Sequence, residues 1–370
     1  MNSHTYLARF ACASLTAFSL AGLHAAQGSE SFEPGAVYTI TNDPAANEVA
    51  IFSRATDGVV TFDKLVPTGG KGTGAGLGNQ GAVILTDDER FLLAVNAGSD
   101  ELSVFRVLAD DLLLVDVSPS FGQMPVSITQ RGDLVYVVND TSDSIAGFRL
   151  TASGKLKDLP GSMASLSGIG TDPAQIEFGP TGDLLYVSEK ASNLITVFQL
   201  DANGLPVSQS SLPSQGETPF GFAFGMRGQL FVSEAAAGAD GLGSVSSYLA
   251  GPRGSLRPLS PVTANLGTAT CWVVASPDGR RIFASNTGSD SVSSYAVGFD
   301  GGLKLLDAQA ANTGAGPLDM ALTPDGRFFY VLNAAAGSIG DYAVESDAAL
   351  TSLPGSNSGL PDFSSGLAAR

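Results

Sequence analysis

The sequence is poor in groups that act as bases near neutral pH. Its two histidines, His4 and His24, both fall within the first 26 residues, so a chain that loses that segment has no histidine to serve as base, nucleophile or metal ligand. Cysteine is equally scarce. Beyond Cys12 only Cys271 remains, which excludes an intramolecular disulfide after loss of the leader. Basic residues number 19 against 36 acidic ones, a formal net charge of −17, and such a field repels nucleic acid and anionic lipid. Long apolar runs are also missing. The stretch Phe10 to Leu23 is shorter than the ~20 residues a membrane span needs, and no later run is longer.

That apolar stretch has its own reading. Arg9 is the only formal charge before it, and "HAA" to Ala26 supplies small residues for cleavage, so residues 1–26 are expected to be an export signal and residues 27–370 a single domain. The expected location is periplasmic or secreted.

Glycine is what the chain has in abundance, at 45 residues. The densest run, "GGKGTGAGLGNQG" from Gly69 to Gly81, looks at first like a phosphate-binding loop. Lys71 is succeeded by Gly72 rather than Ser or Thr, however, and the residues after Gly81 read as strands, with no helix to supply a dipole. A tightly turned loop is the expected reading, with no nucleotide or other cofactor.

Repetition is the strongest signal. "VYTITN", "FLLAVN", "VYVVN", "LLYVSE", "LFVSE", "IFASN" and "FYVLN" end at Asn42, Asn96, Asn139, Glu189, Glu234, Asn286 and Asn333, at intervals of 43 to 54 residues. A second strand comes after each ("ELSVFRV", "SVSSYAV"), then a Gly-containing turn and a third segment. Six repeats are also preceded by a strand of their own. Four strands per repeat and seven repeats predict an all-β, seven-bladed β-propeller. The first repeat lacks its leading strand, and the C-terminal "GLPDFSSGLAAR" is expected to supply it and close the ring.

The blades containing "SPDGRRIFASNTGSDSVSSYAV" and "TPDGRFFYVLN" resemble those of the lactonase-like propellers, the family of 6-phosphogluconolactonase and carboxymuconate cyclase. "GTGAGLGNQGA", "ETPFGFAF", "VSEA" and "TATCWVV" resemble its exported members. The resemblance covers roughly residues 37–367 and implies lactone hydrolysis or formation by acid/base residues, with arginines holding an anionic substrate. The chain departs from that pattern. Arg90, Arg131, Arg227, Arg280, Arg281 and Arg327 all fall in turns between first and second strands, on the face away from the strand-end Asn and Glu positions. A phosphorylated lactone is therefore disfavoured.

The strand-end asparagines, and Asp100, Asp143 and Asp290 four residues beyond three of them, read as turn residues bonding local backbone. One Asp per blade does not make a metal site. Glu189 and Glu234 replace Asn in neighbouring blades and are the candidate acid/base pair, with solvated or backbone-bonded carboxylates as the alternative. Lys190 and Lys71 are the candidate ligand-holding cations near that face. Phe220, Phe222 and Trp272, at the starts of two inner strands, are either a candidate ligand-binding wall or a plug of the channel, and Cys271 beside them is either a further ligand contact or a buried small hydrophobe. Two functions from different classes fit: an exported enzyme acting on a small lactone or sugar acid at the centre of that face, or a non-catalytic module whose rim meets a protein or polysaccharide. A monomer is expected.

Overall fold

The computed structural model describes Met1 and residues 34–355 and 357–370. The proposed leader, residues 1–26, lies outside the described residues apart from Met1. Among the described residues no helix is long and apolar enough to cross a membrane.

Seven antiparallel sheets succeed one another along the chain, each with the strand order first, second, third, fourth from the inside outward. Blades 2 to 7 begin with inner strands at Val83–Leu85, Pro125–Arg131, Pro173–Phe178, Pro219–Phe224, Thr270–Ala275 and Pro317–Leu322. In blades 3 and 5 the fourth strand is broken in two: Leu156–Asp158 with Ala164–Ser165, and Leu256–Pro258 with Thr263–Ala264. Blade 1 starts on its second strand, Gly35–Ile40, and its inner strand is Ser365–Ala369 from the C-terminus. The ring is closed as the missing leading strand implied.

Four inner strands open on proline, which costs the sheet nothing at the first position of a strand. A register shift comes at once, between Pro125 and Ser127, Pro173 and Gln175, Pro219 and Phe222, and Pro317 and Met320. Second strands are buried along nearly their whole length, as in "FLLAVN" and "FFYVLN", because each is covered by a neighbouring blade on both faces.

Inner strands have no strand partner on their channel side, and their backbone groups need other partners. Side chains of adjacent blades supply them. Ser188 donates to the Phe220 carbonyl, Ser233 to the Cys271 carbonyl at 2.7 Å and Ser285 to the Leu318 carbonyl at 3.0 Å. Ile176 and Phe178 donate their N–H groups to Ser127 and Thr129, both at 3.1 Å.

Candidate functional site

The glycine loop runs from the outer strand of blade 1 toward the channel mouth and then enters it. Leu77 and Asn79 are buried. The Gln80 amide N–H donates to Ala174 of blade 4 at 3.0 Å, and its side chain exchanges bonds with the Val273 backbone of blade 6 at 3.0 and 3.2 Å. Asn79 donates to the Val126 carbonyl of blade 3 and accepts from Ser365 of blade 1 at 3.0 Å. A side chain at Gly221 would collide with Gln80, so glycine there is what lets the loop sit this deep.

Three of the expected ligand-binding residues meet here, around the chain's own loop. Trp272 donates its indole N–H to the Asn79 carbonyl at 2.6 Å and lies 4.9 Å from Phe220, ring centre to ring centre. Lys190 donates to the Gly78 carbonyl, pairs with Asp172 at 3.0 Å and stands 4.8 Å over the Phe220 ring. Phe222 is buried, with its backbone held by the Gln175 amide at 2.6 and 2.9 Å. Cys271 is buried too, and burial pushes its thiol up to about 12, which removes the thiolate a nucleophile needs. Lys71 is exposed and apart, on the loop's outer stretch beside Ser99.

Space opens beyond the plug, toward the other face. Two cavities, about 250 and 340 Å³, share Gln80 and Glu177 and are lined by the later residues of the inner strands and by the turns after them, including Pro277, Thr323 and Pro324. The centre of the face where inner strands begin, where a pocket was expected, is occupied by the chain's own loop. That mouth is filled because its polar groups are bonded to residues 77–80.

Two acids line the smaller cavity. Glu177 is half-buried; desolvation raises its carboxyl to about 8, and Gln175 donates to its Oε2 at 2.9 Å. Asp319, at 3% exposure, is raised well above the usual carboxylate range by burial, offset only by the Gly81 N–H, and its Oδ2 has no hydrogen-bond partner. No lysine or arginine lines either cavity. Three of the arginines on that face are bonded across to the next blade instead: Arg131 to the Pro180 carbonyl at 2.7 Å, Arg227 to the Gly298 carbonyl at 2.9 Å, and Arg281 to the Ser346 carbonyl.

A family model described as "Lactonase, 7-bladed beta-propeller" matches residues 36–170, 162–239 and 243–359. The chain belongs to this lactonase propeller family. Solved structures agree on the fold. A candidate 6-phosphogluconolactonase of Bacteroides fragilis aligns at TM-score 0.71 and 18% identity over 93% of this chain and 99% of its own. A protein from Lactobacillus plantarum aligns at 0.74 and 19%, over 91% and 99%. The periplasmic gluconolactonase of Pseudomonas aeruginosa aligns at 0.71 and 18%, over 89% and 98%. No curated protein matches the sequence.

Glu189 and Glu234 occupy different ground from the channel acids of this lactonase-family chain. Both are wholly buried. Glu189 accepts from the Ser167 hydroxyl and N–H and from Ser192 at 2.8 Å. Glu234 accepts from Ser244 at 2.6 Å and from the Gly216 N–H at 3.2 Å, and burial raises its carboxyl. Each ties the connector arriving from the previous blade onto its own second strand. Asn286 does the same work: it accepts from Asn265 at 2.8 Å and donates to Ser293 at 2.9 Å. Asp143 and Asp290 reach further than a local turn, taking N–H groups of the connector into the next blade, Thr171 at 2.8 Å and Gly316 at 2.8 Å.

Sequence reasoning missed Glu177 and Asp319. The available signal was a carboxyl inside "AQIEF" and "PLDMAL", inner strands whose counterparts in the other blades carry no acid.

Proposed function

We propose that the chain is a lactonase that opens a small, uncharged sugar-type lactone in the channel cavities on the face opposite the plug. The observation that carries this is the Glu177 carboxyl, raised to about 8 by desolvation, facing a cavity of about 250 Å³ that also holds Asp319. As carboxylate, Glu177 takes a proton from the attacking water, and the new C–O bond forms at the lactone carbonyl. Asp319, kept protonated by burial, is a neutral acid lining the same cavity, and the ring C–O bond then breaks with a proton returning to its oxygen. Gln175 holds the Glu177 carboxyl in place.

The lack of any lining cation favours an unphosphorylated substrate, since phosphate recognition relies on charge-assisted donors. The name of the Pseudomonas relative, a periplasmic gluconolactonase, supports the same substrate class, and with the apolar N-terminal stretch it supports action outside the cytoplasm.

The test is turnover of gluconolactone by the purified chain from pH 6 to 9, with initial rates corrected for spontaneous opening. A rate limb rising through about pH 8 is expected, because the base form of Glu177 fills as pH passes its raised pKa. Binding without turnover would make the protein the non-catalytic module instead.

A further inference from the structure

Away from the channel, three tyrosines occupy the third position of the second strand: Tyr136 in blade 3, Tyr186 in blade 4 and Tyr330 in blade 7. Two reach the next blade in the same way. Tyr136 donates to the Gly204 carbonyl at 2.6 Å and Tyr330 to the Gly58 carbonyl at 2.8 Å, each glycine in the turn between third and fourth strands. Tyr186 keeps the same ring seat. It meets Phe224 of the next inner strand edge to face at 5.1 Å, as Tyr136 meets Phe178 at 6.0 Å. Yet its hydroxyl, on a side chain with no exposure, has no hydrogen-bond partner.

The turn that should supply the partner has moved. In four blades the turn glycine packs against the first residue of the preceding blade's second strand: Gly58 on Phe328, Gly154 on Phe91, Gly204 on Leu134 and Gly301 beside Gln229. Gly254 of blade 5 meets Val197 instead of Leu184. The turn residues differ as well. In "DANG" the Asp201 carboxylate caps the N–H groups of Asn203 and Leu205 at 2.8 and 2.9 Å, whereas "GPRG" has Gly251 in that place and puts both Arg253 (φ 58°) and Gly254 (φ 77°) in the left-handed region. The space left between blades 4 and 5 is a cavity of about 390 Å³, lined by Pro180, Leu184, Tyr186, Ala250, Pro252 and Arg253 among others. That is many times the ~30 Å³ share of one water.

We propose that this interblade cavity is a second binding site, separate from the channel, for a small flat ring bearing one hydrogen-bonding group, seated against Leu184 and Pro252, with that group on the Tyr186 hydroxyl. That hydroxyl is covered in the unliganded chain, and the tyrosine ring shifts to present it. The lining decides the class. Its walls are mainly apolar, which suits a ring, and the buried hydroxyl rewards a ligand that can bond it. A ligand without such a group leaves the hydroxyl as it is and gains only the apolar contact.

The probe is 4-fluorophenol, monitored by fluorine NMR on the full chain. Saturable binding with a dissociation constant of order 1 mM is expected. Tyr186→Phe should weaken it about five-fold, the usual worth of one neutral hydrogen bond, and 4-fluorotoluene should bind the wild type about as weakly as the phenol binds that variant. Ala250→Phe, which fills the space, should abolish the effect, with circular dichroism confirming its fold. The proposal is overturned if 4-fluorophenol shows no saturable binding, or if it binds Tyr186→Phe as tightly as the wild type. Neither result bears on lactone turnover, so this proposal and the channel reading fail independently.

Discussion

The two ends of the central channel are made by the same inner strands, yet they use their polar groups in opposite ways. At the mouth, Asn79, Gln80, Lys190 and Trp272 all bond protein atoms, most of them backbone carbonyls, and the result is a plug joining blades 1, 3, 4 and 6 to the loop. At the far end Glu177 has one amide donor from Gln175 and Asp319 has an oxygen with none. Desolvation without compensating bonds is what raises a carboxyl, so the same burial that stabilises the plug prepares the acids beyond it. The proposed site accordingly lies where the channel leaves a carboxyl oxygen unpaired.

The largest effect should come from removing the strand that both ends depend on. Deleting residues 359–370 takes away the inner strand of blade 1, the Arg54–Arg370 contact at 3.0 Å and the Ser365 bond to the plug's Asn79. Loss of a cooperative unfolding transition is expected; an unchanged denaturant midpoint would mean that the ring is closed some other way. Next comes Glu177→Gln, which keeps the side chain's size and its place beside Gln175 but removes the titrating group. Turnover should drop by the roughly 10²–10⁴ typical of general acid/base catalysis, with the rising limb near pH 8 gone. Full activity in this variant would end the channel proposal.

The blades, their number and the C-terminal closure were legible because they rest on periodicity: alternating strands, Asn or Glu at each second-strand end, and one blade short of a leading strand. The site was less legible. Position within the repeat placed Phe220, Trp272 and Lys190 together, which they are, but could not reveal that residues 77–80 would occupy the space between them. That depends on contacts between residues 193 positions apart in the chain, such as Gln80 with Val273. Glu177 and Asp319 were hidden for a related reason. Whether an inner-strand residue faces the channel or the next blade depends on the register shift after each opening proline, as between Pro173 and Gln175, and the letters alone do not show it.

Trp272→Ala tests the mouth. It deletes the indole bond to Asn79 and the contact with Phe220 in a buried setting, and the usual cost of such a truncation is about 3–5 kcal/mol of stability, read from denaturant unfolding. The effect should fall on stability while kcat, measured on protein verified as folded, changes far less than in Glu177→Gln. A variant that unfolds like the wild type would show that the plug is not held by Trp272.

The smallest effects separate the buried latches from the channel acids. Glu189→Gln and Glu234→Gln put an amide where Asn286 already does the same job with serine and asparagine partners, and the serine hydroxyls around each can turn to accept from the new NH₂. Stability should change by within about 1 kcal/mol and turnover should not change, whereas Glu234→Ala, leaving the Gly216 N–H and Ser244 without an acceptor, should cost about 1–3 kcal/mol. For Glu234 the sign with pH follows from its burial. Burial raises its folded-state pKa above the unfolded value of about 4.5, so between those two values the folded chain binds more protons than the unfolded one, and stability declines as pH rises through that window. Gln cannot titrate, so Glu234→Gln should compare least favourably with the wild type near pH 4.5 and progressively better as pH rises, in urea midpoints measured from pH 4.5 to 8. A constant difference across that range would mean that Glu234 ionises as easily in the blade as in the unfolded chain, and its serine and backbone donors would then outweigh its burial.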